Sequence, residues 1–471
     1  MKKLSELYPG YPDDILINGI KINSKEVTDG DIFVCTMGVT ADRHDFIDEA
    51  IKNGAKAVVV QKPVSCSVPT ILVENTNKEL PLLASRFYDK PETKLDIIGI
   101  TGTNGKTTVA TIIQDLIGND ICGYLGTNGI ICGKFSESIR NTTPDSDRLY
   151  GYFKRFVDSG CKILSMETSS EAFYRERLQN IKFKVGIITN ITEDHLNIHK
   201  TIENYVACKQ KLVMQVADDG YSILNTDDKY YNETRKVAKG TILTYGKNNA
   251  DLQIINSAST AKETNITVKY NNMNYNFSSP LLGEFNTYNL CAAILALLAL
   301  GYDIEDIIKR IPNIKAPHGR VEFLNYGQNY EIVLDYAHTP DAFSKLYKLL
   351  NEVKKGRIIT VTGSAGGREK EKRGPMGKLV LDESDYVIFT MDDPRYEDVK
   401  DIISDLVSIS DKNNYEIIVD RKEAIYKAFD IANKDDIVLI AGKGIDNYMA
   451  IEDKYLPYSD LEVIKEYFDK N

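Results

Sequence analysis

Apolar residues fall in short runs, and the polar segments between them carry apolar positions at helical spacing. Asp31-Ile-Phe-Val-Cys-Thr and Ala57–Gln61 predict buried strands, with a helix near Phe46–Asn53 between them. Leu95-Asp-Ile-Ile-Gly-Ile, Lys162–Met166, Val185–Thr189 and Tyr221–Leu224 predict further strands. Ala250–Phe277 alternates as β-hairpins would, with Asn271-Asn272 as a turn. Helices are expected at Val109–Ile117, Asn289–Leu300 and Ile304–Ile311. The pattern then resumes with strands Arg357–Thr362, Tyr386–Thr390, Glu416–Val419 and Ile437–Ala441. Strands alternating with helices predict an α/β fold with largely parallel sheets covered on both faces. Three blocks result: 1–93, 94–316 and 317–471. Asp89-Lys-Pro-Glu-Thr-Lys94 and Asn313–Pro317 are the expected linkers and hinges.

A chain of 471 residues exceeds one compact core, which agrees with several domains. The net charge of -10 argues against a broad nucleic-acid surface, so any phosphate site must be a local pocket. The N-terminal Met1-Lys-Lys-Leu-Ser-Glu-Leu lacks a secretory h-region. Leu290–Leu300 is the longest apolar stretch and is too short to span a bilayer, so a cytoplasmic protein without membrane insertion is expected. The seven cysteines include no CxxC pair, which predicts reduced thiols and no zinc site.

Chemistry concentrates after the strand Leu95–Ile100. Thr101-Gly-Thr-Asn-Gly-Lys-Thr-Thr108 combines glycines that let backbone amides turn toward phosphate with a helix N-terminus and the cation Lys106. Thr107 supplies a hydroxyl for Mg²⁺. Gly102, Thr103, Asn104, Gly105 and Thr108 complete the expected ATP loop. The usual spacing wants a glycine where Ile100 stands, and the extra glycine here is Gly102. A bound ATP also needs a metal carboxylate. Glu167 ends an apolar strand, and Asn190-Ile-Thr-Glu-Asp-His195 comes after another, so Glu167 and His195 are candidate Mg²⁺ ligands. His195 and His199 stand four apart, which on a helix would share a face. On residue chemistry alone, Lys209 reads as a solvated helix lysine, and Lys106 as a residue of a surface loop.

The phosphate loop resembles that of the Mur ligase and folylpolyglutamate synthase superfamily. Asn141-Thr-Thr-Pro-Asp, Met166-Glu-Thr-Ser-Ser, Thr189-Asn-Ile-Thr-Glu-Asp-His-Leu, Tyr205-Val-Ala-Cys-Lys209 and Leu282-Gly-Glu-Phe-Asn-Thr-Tyr-Asn289 come next, in that family's order. So do His318-Gly-Arg-Val-Glu322, Leu334-Asp-Tyr-Ala-His-Thr-Pro-Asp341, Gly366-Gly-Arg-Glu-Lys-Glu-Lys-Arg, Asp392-Asp-Pro-Arg395 and Gly442-Lys-Gly-Ile-Asp446. The resemblance is strongest to the branch that adds the third amino acid to UDP-N-acetylmuramoyl-L-Ala-D-Glu. It implies an N-terminal UDP-substrate domain, a central P-loop ATPase domain and a C-terminal Rossmann-like domain that brings the amino acid. By the same resemblance Ser24 contacts the uridine part, and Asn141, Thr142, Thr143, Ser169 and Arg177 hold the muramoyl-dipeptide. Asn286, Arg320 and Asp335 contact the nucleotide. Arg368, Asp392, Asp393, Pro394, Arg395, Gly442 and Asp446 surround the amino acid. Lys209 matches a lysine that the family carboxylates with CO₂ to a carbamate near a second Mg²⁺.

Three departures stand out. Where many relatives have Ser-Ser-His, this chain has Ser169-Ser170-Glu171. Asp-Asn-Pro-Arg becomes Asp392-Asp393-Pro394-Arg395, and Gly-Lys-Gly-His-Glu becomes Gly442-Lys443-Gly444-Ile445-Asp446. Asp393 is placed to pair with Arg395 and occupy it. The resemblance implies a monomeric, ATP-dependent amide-bond ligase for peptidoglycan precursors, working through an acyl phosphate with meso-diaminopimelate. L-lysine as the third residue, a folylpolyglutamate-type ligase and a non-catalytic ligase-like binding subunit remain the alternatives.

Overall fold

The computed structural model describes residues 1–12, 14–38, 42–139, 141–260 and 262–470. Its first sheet joins Gly19–Lys21, Asp31–Val34, Ala57–Val60 and Thr70–Leu72, all parallel. The two inner strands are buried at every position, as strands covered on both faces must be. This block does not have a core of its own throughout. Leu83, Ala84 and Phe87 of helix Thr76–Phe87 share one apolar cluster with Leu149, Tyr150 and Phe153 of helix Ser146–Asp158. The linker between them is anchored rather than loose. Glu92 is buried, accepting from Ser85 Oγ at 2.5 Å and from Asn180 Nδ2 at 3.2 Å.

The second sheet has eleven strands. At its centre Asp96–Thr101 lies parallel between Ile163–Glu167 and Phe183–Ile188, in the register Glu167↔Ile100 and Ile188↔Thr101. The three strands therefore end level. Their carboxyl ends deliver the phosphate loop, Glu167 and the segment to His195 to one edge of the sheet. Ligand sites in parallel sheets form at such carboxyl ends. Leu252–Ser259, Thr264–Tyr270 and Met273–Ser279 extend the sheet as antiparallel hairpins. Asn271 and Asn272 form the second turn at φ 47° and 64°, left-handed values that asparagine tolerates. Helix Glu284–Ala299 is buried along Leu290–Leu297. It begins earlier than its apolar run, because its polar first turns line a cleft at the sheet edge. No helix among the described residues is long and apolar enough to cross a membrane.

The third sheet runs Glu322–Leu324, Glu331–Asp335, Ile437–Ala441, Ile358–Thr362, Tyr386–Phe389 and Tyr415–Ile417, parallel except for its first strand. Apolar clusters cover both faces. Below its carboxyl edge Arg421 and Asp460 form a fully buried pair, with Nη2–Oδ2 at 2.8 Å and Nε–Oδ1 at 2.8 Å. Arg421 also donates to the carbonyls of Met391 and Ala441, the residues before Asp392 and Gly442. Asp460→Ala leaves a buried guanidinium without its counter-ion. It should cost about 3–5 kcal/mol, seen as a lower thermal unfolding midpoint. An unchanged midpoint would show that the pair does not hold this domain.

Candidate active site

A cleft of about 1110 Å³ opens between the carboxyl edges of the second and third sheets, and nearly every expected site residue faces it. Gly102 and Gly105 are both required in the loop. A Cβ on Gly102 would stand 1.8 Å from Thr189 Oγ1, and one on Gly105 2.4 Å from Asn289 Oδ1. Asn190 backs the loop, its Oδ1 accepting from the Asn104 amide at 3.0 Å. Lys106 is the first residue of helix Lys106–Ile117 rather than part of a surface loop. The helix gains its first turn here because Gly105, at φ 89°, turns the chain into it. Its Nζ folds back onto the carbonyls of Gly102 at 2.9 Å and Thr103 at 3.0 Å. Burial holds this ammonium below the ordinary lysine value, with Glu167 partly opposing.

Glu167 is fully engaged. It accepts from Thr107 Oγ1 at 3.0 Å, Tyr124 OH at 2.6 Å and the Thr127 amide at 2.8 Å. Thr143 Oγ1 donates to the Glu167 carbonyl, and Thr142 Oγ1 lies 3.1 Å from Thr127 Oγ1. The Ser169 amide donates to Thr143 Oγ1, while Arg177 pairs with Asp145 and donates to the Thr143 carbonyl. Thr142, Thr143, Ser169 and Arg177 thus form one wall, with the exposed Asn141 at its rim. Ser24 is not among the cleft-lining residues. It is buried in the first block with its hydroxyl on Glu49.

His195 does not share a helix face with His199. It caps the short helix Leu196–His199 at φ 55° and lies in the cleft, with Nε2 3.5 Å from Asp194 Oδ2. Burial brings its pKa down to about 4 despite Asp194, so the ring is neutral near pH 7. His199 is a core histidine, buried with Nε2 3.0 Å from Ser170 Oγ. Asp194, His195 and Glu369 present ligand atoms within 4.8 Å of one another, but both carboxylates already hold the Lys372 ammonium.

Lys209 overturns the expectation of a solvated lysine. It is 1% exposed, with Nζ 4.5 Å over the Tyr205 ring and no hydrogen bond or ion pair to the described residues. Burial and the nearby Lys106 charge hold it well below the usual lysine range.

From the third sheet come Arg320, stacked 4.6 Å over Tyr336, and the buried Asp335, whose carboxylate accepts from the Val321 and Ala337 amides. Asn286 is tied to the Leu282 carbonyl and to Asn289. Asp341, absent from the expected set, accepts from Asn104 Nδ2 at 2.8 Å, so this domain touches the phosphate loop directly. At the far end, Asp392, Asp393, Arg395, Gly442 and Asp446 gather, with Arg368 exposed nearby. Asp393 does not pair with Arg395. Its Oδ1 accepts from Lys443 Nζ at 2.8 Å and from the Ala450 amide at 2.9 Å. Lys443 is completely buried, so the nearest carboxylate is drawn to it and Arg395 is left with an unpartnered Nε. Pro394 lies within this loop, which is stapled to hairpin Tyr448–Pro457 by Arg395 N to Ala450 O at 3.0 Å. Burial lifts the Asp446 carboxyl to about 6, with Lys443 opposing. Tyr124 carries no signal in sequence, and Lys372 and Lys443, though they fall within the quoted blocks, have no role assigned by them.

Residues 16–88 match the family described as Mur ligase family, catalytic domain; residues 100–297 match Mur ligase middle domain; residues 319–444 match Mur ligase, glutamate ligase domain. The UDP-N-acetylmuramoyl-L-alanyl-D-glutamate--2,6-diaminopimelate ligase of Bacillus cereus is 37% identical over 96% of this chain and 94% of its own. The ligase of that name from Aquifex aeolicus is 39% identical over 96% and 93%. A solved structure of a ligase of that name covers 100% of this chain and 99% of its own, at 28% identity and a TM-score of 0.69. The MurF ligase of Thermotoga maritima, solved with ADP, shares the fold at 22% identity and a TM-score of 0.68, over 98% and 99% of the two chains. With all three of its blocks matched and full-length relatives above 30% identity, the chain belongs to the Mur ligase family.

Proposed function

We propose that this chain joins meso-diaminopimelate to the D-Glu carboxyl of UDP-N-acetylmuramoyl-L-Ala-D-Glu, driven by ATP. The observation that carries the proposal is a cleft with a phosphate loop and acid at one end and an open Arg395 at the other. The matching names of its relatives supply the substrate. The first block grips the UDP end, the second binds ATP and the third brings the amino acid.

The oxygen-rich pair of Thr107 Oγ1 and Glu167, 3.0 Å apart, suits a hard cation, and neutral His195 adds a lone pair. These residues would hold one Mg²⁺ and Lys209, as a carbamate, would face a second; such ions would offset phosphate charge when bound. Loop amides and Lys106 orient the γ-phosphoryl group and neutralise it as the D-Glu carboxylate attacks. Thr142, Thr143, Ser169 and Arg177 hold that carboxylate in line. ADP leaves as the acyl phosphate forms; the incoming amine then attacks its acyl carbon and loses a proton, and inorganic phosphate leaves from the tetrahedral adduct. Closure of the third domain over the cleft places the two substrates together and excludes water.

Meso-diaminopimelate carries a carboxylate and an ammonium at its far end, where L-lysine carries only the ammonium. Arg395 would take the carboxylate and Asp446 the ammonium. A charged hydrogen bond contributes ~1.5–3 kcal/mol, so L-lysine should be used roughly 10–150-fold less well. Phosphate release dependent on each amino acid, with UDP-muramoyl-dipeptide present, tests this on wild type and Arg395→Ala. The variant should narrow the preference. L-lysine used as well as diaminopimelate, or a preference untouched in Arg395→Ala, would overturn the substrate assignment. No ATP turnover with either would favour a binding subunit.

A further inference from the structure

Lys372 is a cation that the third domain places inside the second. It sits on the turn before helix Arg373–Glu383, and its footing is rigid. The next residue, Arg373, is 1% exposed and is held by Glu397, Asp405 and the Ala365 carbonyl of its own domain. From there Lys372 Nζ reaches Asp194 Oδ1 at 2.5 Å and Glu369 Oε2 at 3.1 Å. Asp194 belongs to the segment leaving strand Phe183–Ile188. Its Oδ1 also accepts from the His195 amide at 2.9 Å, and its Oδ2 faces the His195 ring. Glu369 in turn accepts from the Asn197 amide at 3.4 Å. Only 5% of the Asp194 side chain is exposed, and with the third domain withdrawn this carboxylate would lose the Lys372 ammonium.

We propose that Lys372 is a positioning residue for the ligase reaction: by gripping Asp194 across the domain boundary it fixes the His195 segment beside the phosphate loop only when the cleft is closed. Its effect passes through Asp194, and it makes assembly of the phosphoryl-transfer end conditional on arrival of the domain that carries the amino acid. The inference rests on the proposed ligase function. A wild-type chain that forms no amide would sink that function, whereas an active wild type insensitive to Lys372 would sink only this role.

The test is steady-state amide formation by the full chain with UDP-muramoyl-dipeptide, ATP and diaminopimelate. Lys372→Met, Lys372→Arg, Asp194→Asn and the Lys372→Met/Asp194→Asn double variant are compared, with thermal midpoints measured alongside. Misplacing a group by about 1 Å can cost on the order of 10²-fold, so Lys372→Met should lower kcat roughly tenfold or more. The KM for ATP should stay within about twofold, because nucleotide binding precedes the step that Lys372 serves. Lys372→Arg should recover most of the loss. The double variant should be no slower than the slower single, since both break one link. The thermal midpoint should fall in Lys372→Met, whose Asp194 carboxylate is left without this counter-ion, so turnover is compared at a temperature well below every midpoint. A Lys372→Met enzyme within about threefold of wild type overturns the proposal. So do losses that multiply in the double variant, a rise in KM for ATP that accounts for the defect, or an arginine variant as slow as the methionine.

Discussion

Lys106→Ala should lower kcat on the order of 10²-fold or more while leaving the fold intact. The size depends on where the charge acts. A cation aimed at a transferring phosphoryl group in a cleft shielded from water is worth most when that charge develops, and lost donors of this kind cost 10²–10³-fold. In the structure Nζ rests on the Gly102 and Thr103 carbonyls, inside the curl of the loop itself. Two weak acceptors hold it there, so a phosphate oxygen can replace them at little cost. The fold should survive for a different reason from the one its sequence position suggests. Lys106 opens a helix, where alanine is the best residue, and its ammonium is already disfavoured by burial. Removing it relieves a desolvated charge, which offsets the loss of its two hydrogen bonds to the Gly102 and Thr103 carbonyls. Circular dichroism and the thermal midpoint should therefore match wild type in the same samples whose turnover has collapsed. A variant that turns over near normally would sink the assignment of this loop to ATP.

The phosphate end of the site was legible because local order suffices for it. A strand, a glycine loop, a lysine and a helix in sequence put Lys106 and Thr107 in place whatever the rest of the chain does. Glu167 and His195 were legible for a related reason: parallel strands in register end together, so strand-end acids meet a strand-end loop. The features that escaped depend on contacts between distant segments. Asp393 and Arg395 are two residues apart and of opposite charge, and sequence pairs them. The structure pairs Asp393 with Lys443, because a completely buried ammonium needs a counter-ion more than the half-buried guanidinium does. Lys372 looked like one more charge in Arg368-Glu-Lys-Glu-Lys372, and only the approach of a second domain gives it a partner. His199 failed in the other direction. Four residues from a metal-site candidate, it is a packed ring against Tyr205, with centroids 5.2 Å apart.

Lys209→Ala should lose most activity, on the order of 10²-fold, and regain part of it when a small carboxylate is supplied. The cause is a charge in the wrong place. A lysine 1% exposed, with a ring beneath it and Lys106 near, makes no ion pair among the described residues, and Asp194 and Asp228 only partly support its positive form. Burial and that repulsion both favour the neutral amine, which is the form that adds CO₂. Carboxylation would replace a repelled cation with an anion facing Lys106 and the candidate Mg²⁺ ligands. The unfavourable burial would then become an attraction. A group that orients a metal typically costs 10–100-fold when removed, which sets the scale. The neutral fraction grows as pH rises, so carbamate occupancy should increase with pH and with added bicarbonate, and fall in acid. Intact mass at native pH should show one added CO₂, absent from Lys209→Ala, and carbon-13 bicarbonate should give a carbamate signal that disappears with the same substitution. Formate or acetate should restore some turnover to the alanine variant, since either can enter the space the side chain leaves. An unmodified Lys209 turned to solvent in an ATP-bound structure, together with full activity in the alanine variant, would refute the carbamate and leave Lys209 without a chemical role.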